Sequence, residues 1–263
     1  MKALVLKVVL VAVLAVAGGS GAYFAYHAST AHSHAQTGPE DDIPASSMVV
    51  GQFRHNGTSI YFFMQNNTSF GLILPLNDLG AVNASANLSN ALGKAGTNGL
   101  NVSVYEYYSG IPVFRVSNIS EVRGIEVELP GINFSTGSTL YFSLPQTQDA
   151  VAGSLQGVVS SLRASGNASY RSQLTRYLNS SVNLSLAVSL GSYGHISVNV
   201  TSNSTLVFVQ DTNQTQLSLF FASLNLIHPA GGRAYDLTSS TMQVYFPEGL
   251  SSLPVLLKYI QGA

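Results

Sequence analysis

The chain has 263 residues, 11 Lys and Arg against 12 Asp and Glu, and no cysteine. The formal charge of −1 excludes little by itself, but the missing thiols exclude disulfides, thiolate metal sites, iron–sulfur clusters, a cysteine nucleophile and a cysteine-ligated copper centre. Charged residues make up 9% of the chain, against about 25% in ordinary soluble domains, while the hydrophobic fraction of 46% is that of a folding protein.

Lys2 and Lys7 lead into Val8 to Tyr26, an apolar stretch without charge and long enough to cross a bilayer core. We read residues 1–27 as a signal anchor, an uncleaved transmembrane helix with Tyr23, Phe24 and Tyr26 at the outer interface. The alternative is a cleaved signal ending near Ala15-Val16-Ala17. Either reading puts everything after His27 outside the cell. Residues 28–47 carry Pro39, Pro44 and the acidic run Glu40, Asp41 and Asp42 without apolar periodicity, and predict an exposed linker. His27, His32 and His34 lack a rigid scaffold there, so we read no metal site.

The fold class expected beyond the linker is mainly β (α+β). Residues 48–125 predict strands at Met48–Arg54, Ser59–Gln65 and Phe70–Leu76, a weak helix at Asn87–Lys94, and a hairpin of Asn101–Tyr108 and Ile111–Ser117. Asn56-Gly57 is a hairpin-turn signal between the first two. That element order, with the runs Gly99-Leu100-Asn101-Val102-Ser103-Val104 and Val113-Phe114-Arg115-Val116, resembles the OB-fold, which implies a small closed barrel. Nucleic acid is the best-known ligand of that family. Its groove needs a basic track beside aromatic platforms. Tyr61, Phe62, Phe63, Tyr105, Tyr107 and Tyr108 could serve as platforms, but Arg54, Lys94, Arg115 and Arg123 stand against Asp78, Glu106 and Glu121, a surplus of one. No nucleic-acid partner is expected.

Residues 126–263 predict an α+β domain. Leu140–Leu144 is a short strand, and Asp149 is a plausible N-cap for a helix with Val151, Leu155, Val158, Val159 and Leu162 on one face. From Leu184 the period becomes two, giving an antiparallel meander whose wet face would hold Asn183, Ser197 and Asn199. Leu217 to Phe221 and Gln243–Phe246 add strands, and Leu253, Leu256, Leu257 and Ile260 a short terminal helix.

Fourteen of the 18 asparagines begin Asn-X-Ser/Thr triplets: Asn56, Asn66, Asn67, Asn83, Asn87, Asn101, Asn118, Asn133, Asn167, Asn179, Asn183, Asn199, Asn203 and Asn213. The Ser and Thr content would place about 3 or 4 there by chance. Asn is disfavoured in strands, so β-pattern alone does not account for the excess, and we read these residues as N-glycosylation acceptors. Low charge, no cysteine, no tryptophan and dense acceptors together look like envelope proteins of heat- and acid-loving archaea. A surface with so few carboxylates is also expected to tolerate acid.

Catalytic motifs are missing: the sequence has no Gly-X-Ser-X-Gly elbow, no His-Glu-X-X-His and no phosphate-binding loop. Glu126 and Glu128 are the one carboxylate pair spaced to share a strand face, which is thin support for an acid hydrolase. Archaeal acid proteases of the thermopsin kind share the glycosylated, low-charge habit, but no motif here carries that resemblance. The expected function is that of a membrane-anchored, heavily glycosylated extracellular surface protein, structural or adhesive, with no cofactor. Its expected partners are the membrane, its glycans, and other envelope proteins or its own copies. Two alternatives are a secreted filament subunit that adds a strand from about Gln36 to a neighbour, and a surface acid hydrolase.

Overall fold

The computed structural model describes residues 38–55, 58–66, 68–75, 101–117, 127–129, 132–134, 139–143, 149–189, 191–201, 204–211, 215, 233–235 and 241–246. The predicted span at 8–26, the Asn56-Gly57 turn, the 87–94 helix, the strand at 217–221 and the terminal helix lie outside them. The protein is mainly β. Its strands are β1 (Val49–His55), β2 (Thr58–Asn66), β3 (Ser69–Pro75), β4 (Asn101–Tyr108), β5 (Ile111–Ser117), β6 (Val127–Leu129), β7 (Ile132–Phe134), β8 (Thr139–Ser143), β9 (Asp149–Gly153), β10 (Leu184–Ser189), β11 (Gly194–Val200), β12 (Thr205–Asp211), β13 (Arg233–Tyr235) and β14 (Thr241–Phe246). Helix α1 spans Leu155–Gly166.

Two compact units divide the chain, the first holding 60–127 and 134–172 with the segment before 46, the second 47–59, 128–133 and 173–263. In the first, the strands run β2-β3-β9-β8-β5-β4, and in the second β13-β14-β12-β11-β10-β1. The described strand pairings within both are antiparallel. The expected OB-like barrel over 48–125 is therefore corrected to open sheet. β3 takes β9 as its neighbour and β5 takes β8, both from beyond residue 125, while β1 pairs with β10. The five strands expected within 48–125 form as β1 to β5, but their partners, chosen by distant hydrophobic faces, include strands from beyond that stretch.

The first unit is built around the junction of β3, β9 and α1. Asp149 does not cap the helix, since Asp149–Gly153 continues as a fully buried strand and Ser154 is the N-cap. The Ser154 hydroxyl accepts from the Gly157 amide at 3.1 Å and from the Phe70 amide at 3.1 Å. It also donates to the Phe70 carbonyl at 3.2 Å, which takes the Ser154 amide as well at 3.1 Å. A Cβ on Gly153 or Gly157 would overlap that same Phe70 carbonyl, and one on Gly71 would overlap the ring of Phe63. These glycines let helix, strand and ring approach more closely than any side chain allows. Val158, Leu162 and Ala164 then turn inward from α1, and Phe63, Ile73, Val113 and Val151 are buried in the same unit. Each large apolar side chain so covered contributes about 1.5–3 kcal/mol.

The segment before β1 departs from the expected exposed linker. Pro39–Asp42 forms a 3₁₀ turn, and Asp42, Ile43 and Pro44 are buried. Ser161 of α1 donates to the Asp42 carbonyl at 2.6 Å, and Arg171 meets Asp41 at 2.9 Å. Pro44 bridges Arg171, with Ala45 donating to the Tyr170 carbonyl at 2.6 Å and Ser172 to that of Ile43 at 2.8 Å. Prolines and acids read as solvated chain, but one apolar residue with paired neighbours is enough to dock it.

In the second unit the meander β10-β11-β12 forms as predicted, with β14 beside β12. Its expected wet face is covered. Ser185, Ala187, Ser197 and Asn199 share that face by register, along with Val50 and Gln52 of β1, and all are buried. The segment 173–183 closes over it: Leu174 is buried, Tyr177 stacks on His195 with centroids 3.5 Å apart, and the Asn179 amide donates to Ser185 Oγ at 2.9 Å.

The β3–α1 junction sets a stability test. Gly157→Ala should destabilise the protein by about 3 kcal/mol, near the upper end of overpacking costs. Ser154→Ala should cost about 1–2 kcal/mol through the lost cap. Gly166→Ala, with open space around its Cβ, should be neutral or gain up to about 1 kcal/mol of helix propensity. Urea midpoints of the three variants check this ordering.

Candidate functional site

Five of the predicted acceptors have side chains whose surroundings are described, and they divide sharply. Asn66, Asn167, Asn179 and Asn183 are exposed, whereas Asn199 is 8% exposed. Asn101 lies in β4 and Asn133 in β7, their side chains outside the described set. Asn56, Asn67, Asn83, Asn87, Asn118, Asn203 and Asn213 lie outside the described residues altogether.

A common geometry joins three of the exposed sites. Asn66 Oδ1 accepts from the Thr68 amide (2.9 Å), the Thr68 hydroxyl (2.9 Å) and the Ser69 amide (2.8 Å). Asn179 Oδ1 accepts from the Ser181 amide (3.0 Å) and hydroxyl (2.6 Å). Asn167 Oδ1 accepts from the Ser169 amide (2.9 Å) and caps the 3₁₀ turn Ala168–Tyr170. Each is an Asx turn closed by the third residue of its own triplet. The bonds engage Oδ1 and leave Nδ2, the atom that would take a sugar, outside them. Asn183 sits before β10, where its carbonyl accepts from the Arg54 amide at 2.8 Å. Asn199 is the exception, its Oδ1 accepting from buried Ser185 Oγ at 2.8 Å. Its display on a wet face is corrected by the covering segment.

The aromatic residues considered as ligand platforms also separate. Tyr61, Phe62 and Phe63 are core, while Tyr105 and Tyr107 of β4 are 46% and 68% exposed. Tyr105 packs edge-on against Tyr141, and Tyr108 accepts from Arg163 Nε at 3.1 Å, with the Arg163 guanidinium 5.6 Å from the Tyr170 ring. A β-bulge between Val104 and Glu106 breaks the pairing of β4 with β5. The Ser109-Gly110 turn joins the two strands with positive φ at both residues, 49° and 82°, as the twist of a two-residue hairpin requires.

Glu126 lies outside the described residues, and Glu128 falls in β6 with its side chain outside the described set. No group of three His, Asp or Glu suited to a metal occurs among the described residues. Two buried carboxyl groups went unnoticed in the sequence, Asp42 and Asp149, because one lay in an assumed linker and the other at an assumed cap. Among the described residues no helix is long and apolar enough to cross a membrane.

No protein-family model matches the chain, and no curated protein matches it. Two solved structures are similar to it. Crystal form III of TP0453 gives a TM-score of 0.46 at 12% identity, covering 88% of this chain and 100% of that one. Crystal form I of TP0453 gives 0.44 at 13%, covering 87% and 98%. A likeness at this level brings neither ligand nor activity to the chain.

His195 is the second residue of β11. Burial lowers its pKa below 6.5; hydrogen bonding to Gln210 opposes this, and the nearby positive Arg176 adds to it. The unfolded chain therefore takes up this proton more readily than the folded one. The stability difference is absent above pH 6.5, grows as pH falls below 6.5, and levels off below the folded pKa. The urea midpoint of the native protein should drop between pH 7.5 and 5.5 more than that of His195→Gln, and equal drops would show that His195 is not the source.

Proposed function

We propose that the chain is a membrane-tethered, N-glycosylated extracellular protein with a structural or adhesive role in a cell envelope of the archaeal type. The observation that carries this reading is the concentration of 14 acceptor triplets among 18 asparagines. It is supported by the exposure of Asn66, Asn167, Asn179 and Asn183. The uncharged stretch Val8 to Tyr26 behind Lys2 and Lys7 supports the tether. The polar, weakly charged composition suits a surface hydrated by hydroxyls, amides and sugars.

Strand addition between copies is the second reading, and its centre of gravity moves. The N-terminal segment proposed to donate the strand is engaged through residues 43–45 with 170–172 of its own unit. Among the described residues β4 is an edge strand with β5 as its neighbour, and it carries exposed Val104, Tyr105 and Tyr107. The bulge and Glu106 interrupt that edge, devices that disfavour pairing with another chain, so the tethered glycoprotein is preferred.

Two outcomes are expected. Protein from its own host should have an intact mass well above 27.7 kDa, and an unmodified mass would overturn the glycoprotein reading. The protein should also stay with membranes through a high-salt wash. Val11→Asp with Leu14→Asp should release it or block its export, since each charge costs about 2.5–3.5 kcal/mol at the centre of a span. A mature N-terminus beginning after the apolar stretch, in lipid-free material, would replace the tether with a cleaved signal.

A further inference from the structure

We propose that glycosyl transfer to this chain follows folding, with the Asx turns at Asn66, Asn167 and Asn179 as substrates and Asn199 excluded by the fold. The inference rests on the glycoprotein reading and goes further, assigning which acceptors react and when.

The triplets Asn66-Asn67-Thr68, Asn167-Ala168-Ser169, Asn179-Ser180-Ser181 and Asn199-Val200-Thr201 are equally complete in sequence. The fold makes them unequal. At the first three the acceptor is exposed and its amide oxygen is held by the third residue of the triplet. At Asn66 and Asn179 the hydroxyl of that residue donates to the same oxygen. Donors on Oδ1 draw electron density from the amide, which eases loss of an Nδ2 proton. Transfer from a glycosyl phosphate donor forms the bond from Nδ2 to the anomeric carbon and breaks the bond from that carbon to the phosphate oxygen. The phosphate departs with the bonding pair, and the Nδ2 proton goes to a base of the transferase. Each turn holds the reacting nitrogen in one orientation before the enzyme arrives, which lowers the ordering cost of binding.

Asn199 has the opposite environment. It lies in β11, hydrogen-bonded on both flanks through Ser185 of β10 and Leu206 of β12 in register. Its side chain shares a face with Ser197 and His195, and the latter is stacked under Tyr177. Ser185 Oγ joins Asn199 Oδ1 to the Asn179 amide, fixing the covering segment at that point. A sugar on Nδ2 would have to occupy the volume between strand and segment. Before folding the four triplets would be equally open to the transferase, and a chain modified at Asn199 could not close that face, so transfer compatible with the described fold comes after it.

Glycopeptide mass spectrometry on the folded full-length protein from its own host tests the assignment. Glycans at Asn66, Asn167 and Asn179 with none at Asn199 are expected. In a second arm, the unmodified full-length chain is incubated with host membranes and their glycosyl donor, either folded or held unfolded in urea at a concentration the transferase tolerates. Asn199 should gain a glycan only in the unfolded chain, with Asn199→Gln as the site control. A glycan at Asn199 in the folded protein, or no transfer to Asn199 in the unfolded chain while other sites react, would overturn the proposal and leave the glycoprotein reading intact. Glycans confined to acceptors other than the three turns would do the same. A chain unmodified at every acceptor would overturn the glycoprotein reading itself.

Discussion

The first unit depends on a single contact, that of the Ser154 side chain and amide with the backbone of Phe70. One hydroxyl satisfies the first turn of α1 and the amide of a neighbouring strand together, and it does so because Gly153 and Gly157 remove the atoms that would hold the elements apart. Buried backbone groups must find partners, and here the helix start and the strand find each other. The described segment before β1, from Gly38 onward, follows. With α1 fixed, Ser161 can reach the Asp42 carbonyl and Ile43 has a buried place to go. Arg171, just past the helix, then meets Asp41. The partly exposed ion pair adds little by itself; the docking rests on Ile43 and the backbone bonds around it.

The second unit solves a different problem, burying a polar sheet face without charges. Ser185, Ser197, Asn199 and Gln52 are all buried there. Ser185 Oγ donates to Asn199 and accepts from Asn179, and Gln52 Nε2 donates to Ser59 Oγ at 2.8 Å. Neutral hydroxyl and amide pairs cost far less desolvation than ions would. The low charge of the chain is thus repeated in its interior. The ionisable groups are nonetheless not all at the surface, since Asp42 and Asp149 are buried and His195 is partly so.

Strand positions were legible because alternation is local. Asn101–Tyr108 and Ile111–Ser117 match their predicted limits, and the meander from Leu184 runs as read. Pairing was not legible: β3 and β9 are separated by β4 to β8, and nothing within either strand names the other. Asp149 misled because an acid before an apolar helical period is a good cap by type, while Ser154 five residues later begins the actual helix. The wet face misled for a related reason. Ser and Asn alternating with Leu and Val describe a half-exposed strand, unless another segment of the chain has its own polar groups to offer. The residues 173–183 do, through the Asn179 amide and the Tyr177 ring, and no periodicity within β10 or β11 could announce them. The triplets were legible in the sequence, and the exposure of their asparagines was not.

That difference bears on what a dense set of Asn-X-Ser/Thr triplets means. The triplet has two physical uses. Its first side chain can close a turn by accepting from its third residue, as at Asn66, Asn167 and Asn179, and its amide nitrogen can carry a glycan. The two are compatible because they engage different atoms of one amide. A chain rich in neutral turns gains such triplets for structural reasons, and a surface glycoprotein keeps them for chemical ones, so turn formation enriches the sites at which modification is geometrically possible. Asn199 separates the two pressures: its amide oxygen serves a buried hydrogen bond from Ser185, and this structural role places the nitrogen where no glycan fits. The number of triplets is therefore an upper limit on the number of glycans, and the fold decides how far below it the folded protein stands.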